Sequence, residues 1–274
     1  MLLINDNLAA LGAENNLGAT DSALANVVSA LSSGLQIQTA ADNPAGYSIA
    51  QSLQFEINGY GASLQNAQNA VSVLQTAQGA MNQQEAILQS MNTLATQAAN
   101  SSLSASAAAA DNNEFQALLS QLNQIASSTT YAGVDLLDGS NPVLTFQIGP
   151  TNSASDQVTV GLQTTVSSSA GLDVAGLTIT SVSNAVAAMA SVQAAIQTLA
   201  SSAAAVGAAQ NQVQALANNI TVAQQNLTAA HADLVDVNVA SATSKYTSLQ
   251  ILEQSGVAVL AQAQQLPQLA LKLI

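Results

Sequence analysis

Leu249-Gln-Ile-Leu252-Glu-Gln-Ser-Gly256-Val-Ala-Val259-Leu-Ala-Gln-Ala263-Gln-Gln-Leu266-Pro-Gln-Leu-Ala270-Leu-Lys-Leu273 carries apolar or small residues at alternating steps of three and four. That spacing is the seam of a coiled coil. Near the other end Leu17, Leu24 and Leu31 recur every seven residues, joined by Val28 and Leu35 at intervening helical spacings. The two stripes predict that the termini pair. The stripes also fit ordinary intramolecular helix packing, but a single thin helical pair buries too little surface to hold long termini in place, so neighbouring copies are expected to supply the rest. The candidate self-assembly residues are therefore Leu17, Leu24, Val28, Leu31, Leu35, Leu249, Leu252, Val259, Leu266 and Leu273.

Composition points the same way. The 274 residues include only 3% aromatics and no Trp, so a core of large side chains is not expected. Small Ala-rich seams suit closely packed helices instead. Only 6% of residues are charged, with 15 acidic against 2 basic, Lys245 and Lys272. Without a basic patch, nucleic-acid binding and attraction to anionic membranes are disfavoured. The absence of Cys removes disulfides and thiolate metal sites. Met1 to Ala10 lacks the pattern of a secretory signal peptide, and no stretch approaches the length of a membrane span.

Along the chain, helical periodicity over residues 2–33 meets a stop at Gly34. Residues 39–46 read as a non-helical connector or a short broken helix. A long helix is predicted over 57–100, with Ile57, Tyr60, Leu64, Ala67, Val71, Leu74 and Met81 on one stripe that shifts to Ile87, Met91, Leu94 and Ala98. A second covers 111–127. Residues 130–180 have the Gly punctuation and alternation of short strands, including Leu144-Thr-Phe-Gln-Ile-Gly149, Gln157-Val-Thr-Val-Gly-Leu162 and Leu177-Thr-Ile-Thr180. Val192, Leu199, Val206, Val213, Ile220, Leu227 and Leu234 then form the longest regular stripe, flanked by a line of alanines. A soft boundary at 238–248 leads into the last helix, where Pro267 predicts a kink or terminus.

Catalytic constellations are not evident. His231 is the only histidine and has no second His or Cys to share a metal. Asp233 and Asp236 sit three apart on an expected helix face, and Lys245 has no nucleophilic or phosphate-binding motif beside it. No cofactor or metal is expected. Asn100-Ser-Ser102, Asn219-Ile-Thr221 and Asn226-Leu-Thr228 match a glycosylation sequon, as chance matches in an Asn/Ser/Thr-rich chain do. Exposed loops around 151–169 are the better candidates for glycans.

Several ordered motifs together resemble one family, the bacterial flagellins. Leu31-Ser-Ser-Gly-Leu35 followed by Ala41-Asp-Asn-Pro-Ala-Gly46 is similar to its N-terminal signature, as is Asn66-Ala-Gln-Asn-Ala-Val-Ser-Val-Leu-Gln-Thr-Ala-Gln-Gly-Ala80. Tyr131-Ala-Gly-Val-Asp-Leu-Leu-Asp-Gly139, Gly207-Ala-Ala-Gln-Asn-Gln212 and Gln250-Ile-Leu-Glu-Gln-Ser-Gly256 complete the set. The resemblance implies a minimal subunit without large outer domains: terminal helices forming an inner coiled coil, central helices and hairpins outside it. Arginines usual in the family are replaced by Gln36 and Gln212. In the segment aligned with the one sensed by the animal flagellin receptor, Ser90 and Asn92 stand in place of arginines.

The sequence is thus read as mainly α, with long antiparallel helices, a terminal coiled coil and a small β-hairpin region. Residues 1–44 are expected to form the N-terminal half of the inner coiled-coil domain plus connector, 45–238 the outer domain, and 239–274 the C-terminal half. The resemblance implies a secreted, extracellular structural subunit of the flagellar filament. Its implied partners are many copies of itself, the flagellar export apparatus, an export chaperone, and junction and cap proteins. The alternatives weighed are a hook-filament junction protein and a secreted adhesin on the same scaffold. The scarcity of bases also suggests a filament tolerant of acid, because carboxylates lose their charge there while bases keep theirs.

Overall fold

The computed structural model describes residues 7–168 and 171–271, with side chains as far as Gln265 at the C-terminal end. The elements are α1 (Leu8–Ser33), α2 (Pro44–Ala98), α3 (Ala105–Ser128), β1 (Thr130–Tyr131), β2 (Val134–Asp135), β3 (Val143–Gln147), β4 (Gln157–Gly161), α4 (Val182–Val235) and α5 (Val239–Leu271). The fold is mainly helical with two small antiparallel strand pairs. Contacts divide it into two units, residues 1–55 with 226–274 and residues 56–225. The division falls within α2, after Phe55, and within α4, before Asn226.

In the first unit, α1 stops where expected. Gly34 adopts φ 78°, a left-handed conformation open to glycine, and its N–H bonds to the Ala30 carbonyl at 2.9 Å. The connector is shorter than predicted. The Asn43 side chain accepts from the Gly46 N–H at 3.0 Å, so Asn43 caps α2 and Pro44 takes the first helical position, where its missing N–H costs nothing. A Cβ on Gly46 would come within 2.8 Å of Ile37 Cδ1, so the signature glycine lets the buried Ile37 pack against the first turn. Asp42 closes the preceding turn, accepting from the backbone N–H groups of Gln38 (3.0 Å) and Thr39 (2.8 Å).

In the second unit, buried positions of α2 include Ala67, Ala70, Leu74, Ala77, Met81, Gln84, Leu88, Met91, Ala95 and Ala98, an alternation of three and four, with Val73, Ile87 and Leu94 buried beside it. The residues of the predicted shifted stripe, Ile87, Met91, Leu94 and Ala98, are all buried, and an unshifted line runs beside them. The unshifted line continues through a polar core residue, Gln84, which an apolar count skips. On α4, Val192, Leu199, Val206, Val213 and Ile220 are all buried, with Ala188, Ala195 and Ala209 beside them. Leu227 and Leu234, which belong to the first unit, are half-buried. Phe115, Leu122 and Ala126 of α3 complete the helical core.

The β3–β4 hairpin pairs Val143 with Gly161 and Phe146 with Val158, burying Val158 and Val160 while Thr159 faces out. It is tied to α2 by Asn66 Nδ2, which donates to the Gln147 carbonyl at 3.0 Å. Pro150 lies so close to Gly59 that a Cβ there would meet it at 2.6 Å. The predicted strand character of Leu177-Thr-Ile-Thr180 is not realised. Gln116 Nε2 donates to the Leu177 carbonyl (2.7 Å) and the Ile179 N–H donates to Asn112 Oδ1 (2.9 Å), so α3 side chains take the place of a strand partner. At the far end of the chain, α5 continues past Pro267 to Leu271.

Candidate assembly interface

The terminal helices pair antiparallel. Asn7 Nδ2, at the start of α1, donates to the Ala263 carbonyl of α5 at 2.7 Å, and Leu35 bridges Asp236 at the opposite end. The inward line of α1 is Ala10, Ala13, Leu17, Thr20, Leu24, Val27 and Leu31; that of α5 is Ala242, Tyr246, Leu249, Glu253, Gly256, Leu260 and Ala263. Both alternate in threes and fours. Gly256 sets a close approach, since a methyl there would stand 3.3 Å from Leu17 Cδ1.

This places the candidate residues in two groups. Leu17, Leu24, Leu31 and Leu249 are half-buried on the paired faces, and Leu35 is half-buried at the bridge. Val28, Leu252 and Val259 are 46%, 54% and 53% exposed, on faces that the pair leaves open. Leu266 lies on α5 without a described side chain, and Leu273 lies outside the described residues. Sequence reading missed Tyr246 and Leu260 because the inner line also contains Glu253, which breaks an apolar count. It combined the inner positions 249, 256 and 263 with the outer positions 252 and 259.

The elbow between α4 and α5 is held by main-chain exchange. The Val237 N–H donates to the Gly34 carbonyl (2.8 Å) and the Gln36 N–H to the Val235 carbonyl (2.7 Å). Gln36 Nε2 adds a bond to the Leu234 carbonyl at 3.1 Å. Gln36 thus satisfies carbonyls that a helix end leaves without partners. Asn238 caps α5 by accepting from the Ser241 N–H at 3.1 Å. Beside this elbow a groove of about 350 Å3 is lined by Val27, Ala30, Val237, Ala242, Asn26 and Lys245, among others.

Elsewhere, Ser90 is exposed on α2, its Oγ bonded to the Ala86 carbonyl at 3.0 Å. Asn92 is half-buried, and its Oδ1 is enclosed without a hydrogen-bond partner. His231 is half-buried and Asp233 and Asp236 are exposed. Among the described residues no cluster of His, Asp and Glu could hold a metal ion.

A chain whose two ends pair, leaving apolar faces open, and whose middle is a helical core with a docked hairpin, is a structural assembly fold. Residues 4–142 match the bacterial flagellin N-terminal helical region and residues 189–274 the bacterial flagellin C-terminal helical region. A flagellin of Halalkalibacterium halodurans is 32% identical over 273 residues, covering 100% of both chains. One of Bacillus subtilis is 33% identical over 303 residues, covering 99% of each. The crystal structure of Bacillus cereus flagellin aligns with TM-score 0.50 and 27% identity, over 61% of this chain and 94% of that one.

The chain belongs to the bacterial flagellin family. It is a structural subunit of the extracellular flagellar filament, a homopolymer that serves motility, and not an enzyme. The junction-protein and adhesin alternatives gain no support. No described helix is long and apolar enough to cross a membrane.

Proposed function

We propose that the terminal pair works in two stages, using opposite faces of the same helices. Leu17, Leu24, Leu31, Leu35 and Leu249 hold α1 against α5 within one copy. Val28, Leu252 and Val259, continued by Leu266 and Leu273, meet neighbouring copies in the filament. The observation that supports this reading is the exposure of Leu252 and Val259, seven residues apart on α5, while Leu249 faces α1. Burying such a line removes apolar area from water at about 25 cal/mol per Å2, a gain repeated at every added subunit. The family further suggests export of the unfolded chain through the flagellar export apparatus, with a chaperone before export and junction and cap proteins at the filament ends.

The test is seeded elongation followed by electron microscopy. Leu252→Asp and Val259→Asp are expected to leave helical content intact and stop elongation, whereas Leu249→Asp lowers the stability of the monomer. Normal filaments from both exposed-face variants would overturn the assignment.

A further inference from the structure

Phe115 is wholly buried and Phe146 half-buried, but Phe55 is 72% exposed on α2. An aromatic ring in water is the kind of residue that anchors an interface once covered. Glu56 follows it in the same helix and is also exposed. A partner site would therefore combine an apolar hollow with a positive group.

The charge balance narrows where such a site can be. With 15 acidic residues and 2 lysines, copies of this chain repel except where a contact brings a cation to an acid. Lys272 lies outside the described residues. A groove lined by Tyr60, Ile148 and Ile220 also carries Asp156, which would oppose Glu56. Another, lined by Leu64, Val71 and Gln214, carries no charge. The groove at the α4–α5 elbow has an apolar wall of Val27, Ala30, Val237 and Ala242 with Lys245 in its lining. Its volume of about 350 Å3 exceeds the roughly 150 Å3 cavity that holds a benzene molecule.

The geometry points to a knob-and-hollow contact between copies: Phe55 of one subunit enters the elbow groove of another, and Glu56 pairs with Lys245 there. Knob and hollow are different surfaces of the same chain, so the contact is heterologous. Repeated without closure, it propagates a helical filament and not a closed dimer. The proposal rests on the filament reading and adds one directional contact to it.

The experiment compares seeded elongation by the wild type, Phe55→Ala, Glu56→Lys, Lys245→Glu and the Glu56→Lys/Lys245→Glu double variant, with helical content checked in each monomer. Phe55→Ala is expected to raise the critical concentration roughly tenfold, in line with loss of an interface anchor. Each charge reversal alone raises it, and the double reversal restores much of the loss. A photoreactive benzoylphenylalanine at position 55, in mixed isotopically labelled subunits, is expected to cross-link between copies to peptides containing Val27 or Ala242. Elongation unaffected by Phe55→Ala, no recovery in the double reversal, or cross-links elsewhere on the neighbour would overturn the contact and leave the filament reading standing. Failure of the wild type to extend seeds would overturn both.

Discussion

Asn7 Nδ2 donates to the Ala263 carbonyl, 2.7 Å away, and Ala263 lies four residues before Pro267. In an α-helix that carbonyl would accept from the N–H of residue 267, which proline lacks. The start of α1 thus supplies the donor that the end of α5 is missing. The same amide group caps α1, since Asn7 Oδ1 accepts from the Ala10 N–H at 3.1 Å. Asn7→Ala should destabilise the terminal pair by about 1–2 kcal/mol, combining a lost cap with an unsatisfied carbonyl. In a Pro267→Ala background the cost should shrink, because the helix then has its own donor. A thermal-unfolding double-mutant cycle measures this; equal costs in the two backgrounds would show that the residues act independently.

Gln84 is buried in the middle of the α2 seam. Its Nε2 donates to the carbonyls of Leu122 (3.2 Å) and Thr165 (3.4 Å), joining α2 to α3 and to the loop after β4. Gln84→Glu would remove those donors and bury a carboxylate. A loss of at least about 3 kcal/mol at pH 7 is expected, easing as the pH falls and the acid becomes neutral. A denaturant series at pH 7 and pH 4.5 would show a smaller deficit at the lower pH.

Asp42 provides a second pH-dependent element of opposite sign. The backbone N–H of Thr39, then that of Gln38, hold its carboxyl below the usual carboxylate range. A lowered pKa means that the folded state favours the ionised form. Its contribution is complete above the ordinary carboxylate pKa and is lost as the pH falls through the lowered one. Asp42→Asn should remove this acid-side dependence, a change visible in amide exchange of Thr39 measured from pH 5 to pH 2.

Gly59 lies against Pro150, where an added methyl would meet Pro150 Cβ at 2.6 Å. Alanine normally favours a helix over glycine by about 1 kcal/mol. Overpacking costs about 1–3 kcal/mol, so Gly59→Ala should be a net loss of about 1 kcal/mol. The loss should be greatest for amide exchange in the β3–β4 hairpin; a stabilised variant would refute this packing argument.

We propose that Ser90 and Asn92 occupy the segment that the resemblance aligns with the receptor-sensed one, in place of arginines; neither side chain can offer a charge-assisted donor. Endotoxin-free protein should activate a flagellin-receptor reporter cell weakly or not at all. Ser90→Arg should raise the response, because position 90 is exposed. Strong signalling by the unmodified protein would sink this prediction.

Residues that obey a local rule were readable without coordinates. Gly34 ends α1 through its left-handed φ, and the heptads from Val192 to Ile220 mark a buried helix face. What escaped the periodicity were polar residues at seam positions, Gln84 and Glu253, whose environment depends on distant partners or on the aliphatic part of the side chain. The loop at Leu177 to Thr180 was misread because alternation cannot reveal that Asn112 and Gln116 will supply its hydrogen bonds. At the terminal pair, two apolar lines on α5 were both visible. Only the position of α1 decides which line is covered and which remains open.

The antiparallel pairing of α1 with α5 also makes the fold a check on chain length. A product truncated before Ala242 retains all of α1 and the residues of the second unit, yet offers nothing to cover Leu17 or Leu24. It also lacks Leu252 and Val259, the residues proposed to meet neighbouring copies. On that proposal, an unfinished subunit is excluded from growth by its own unpaired first helix, without a separate inspector.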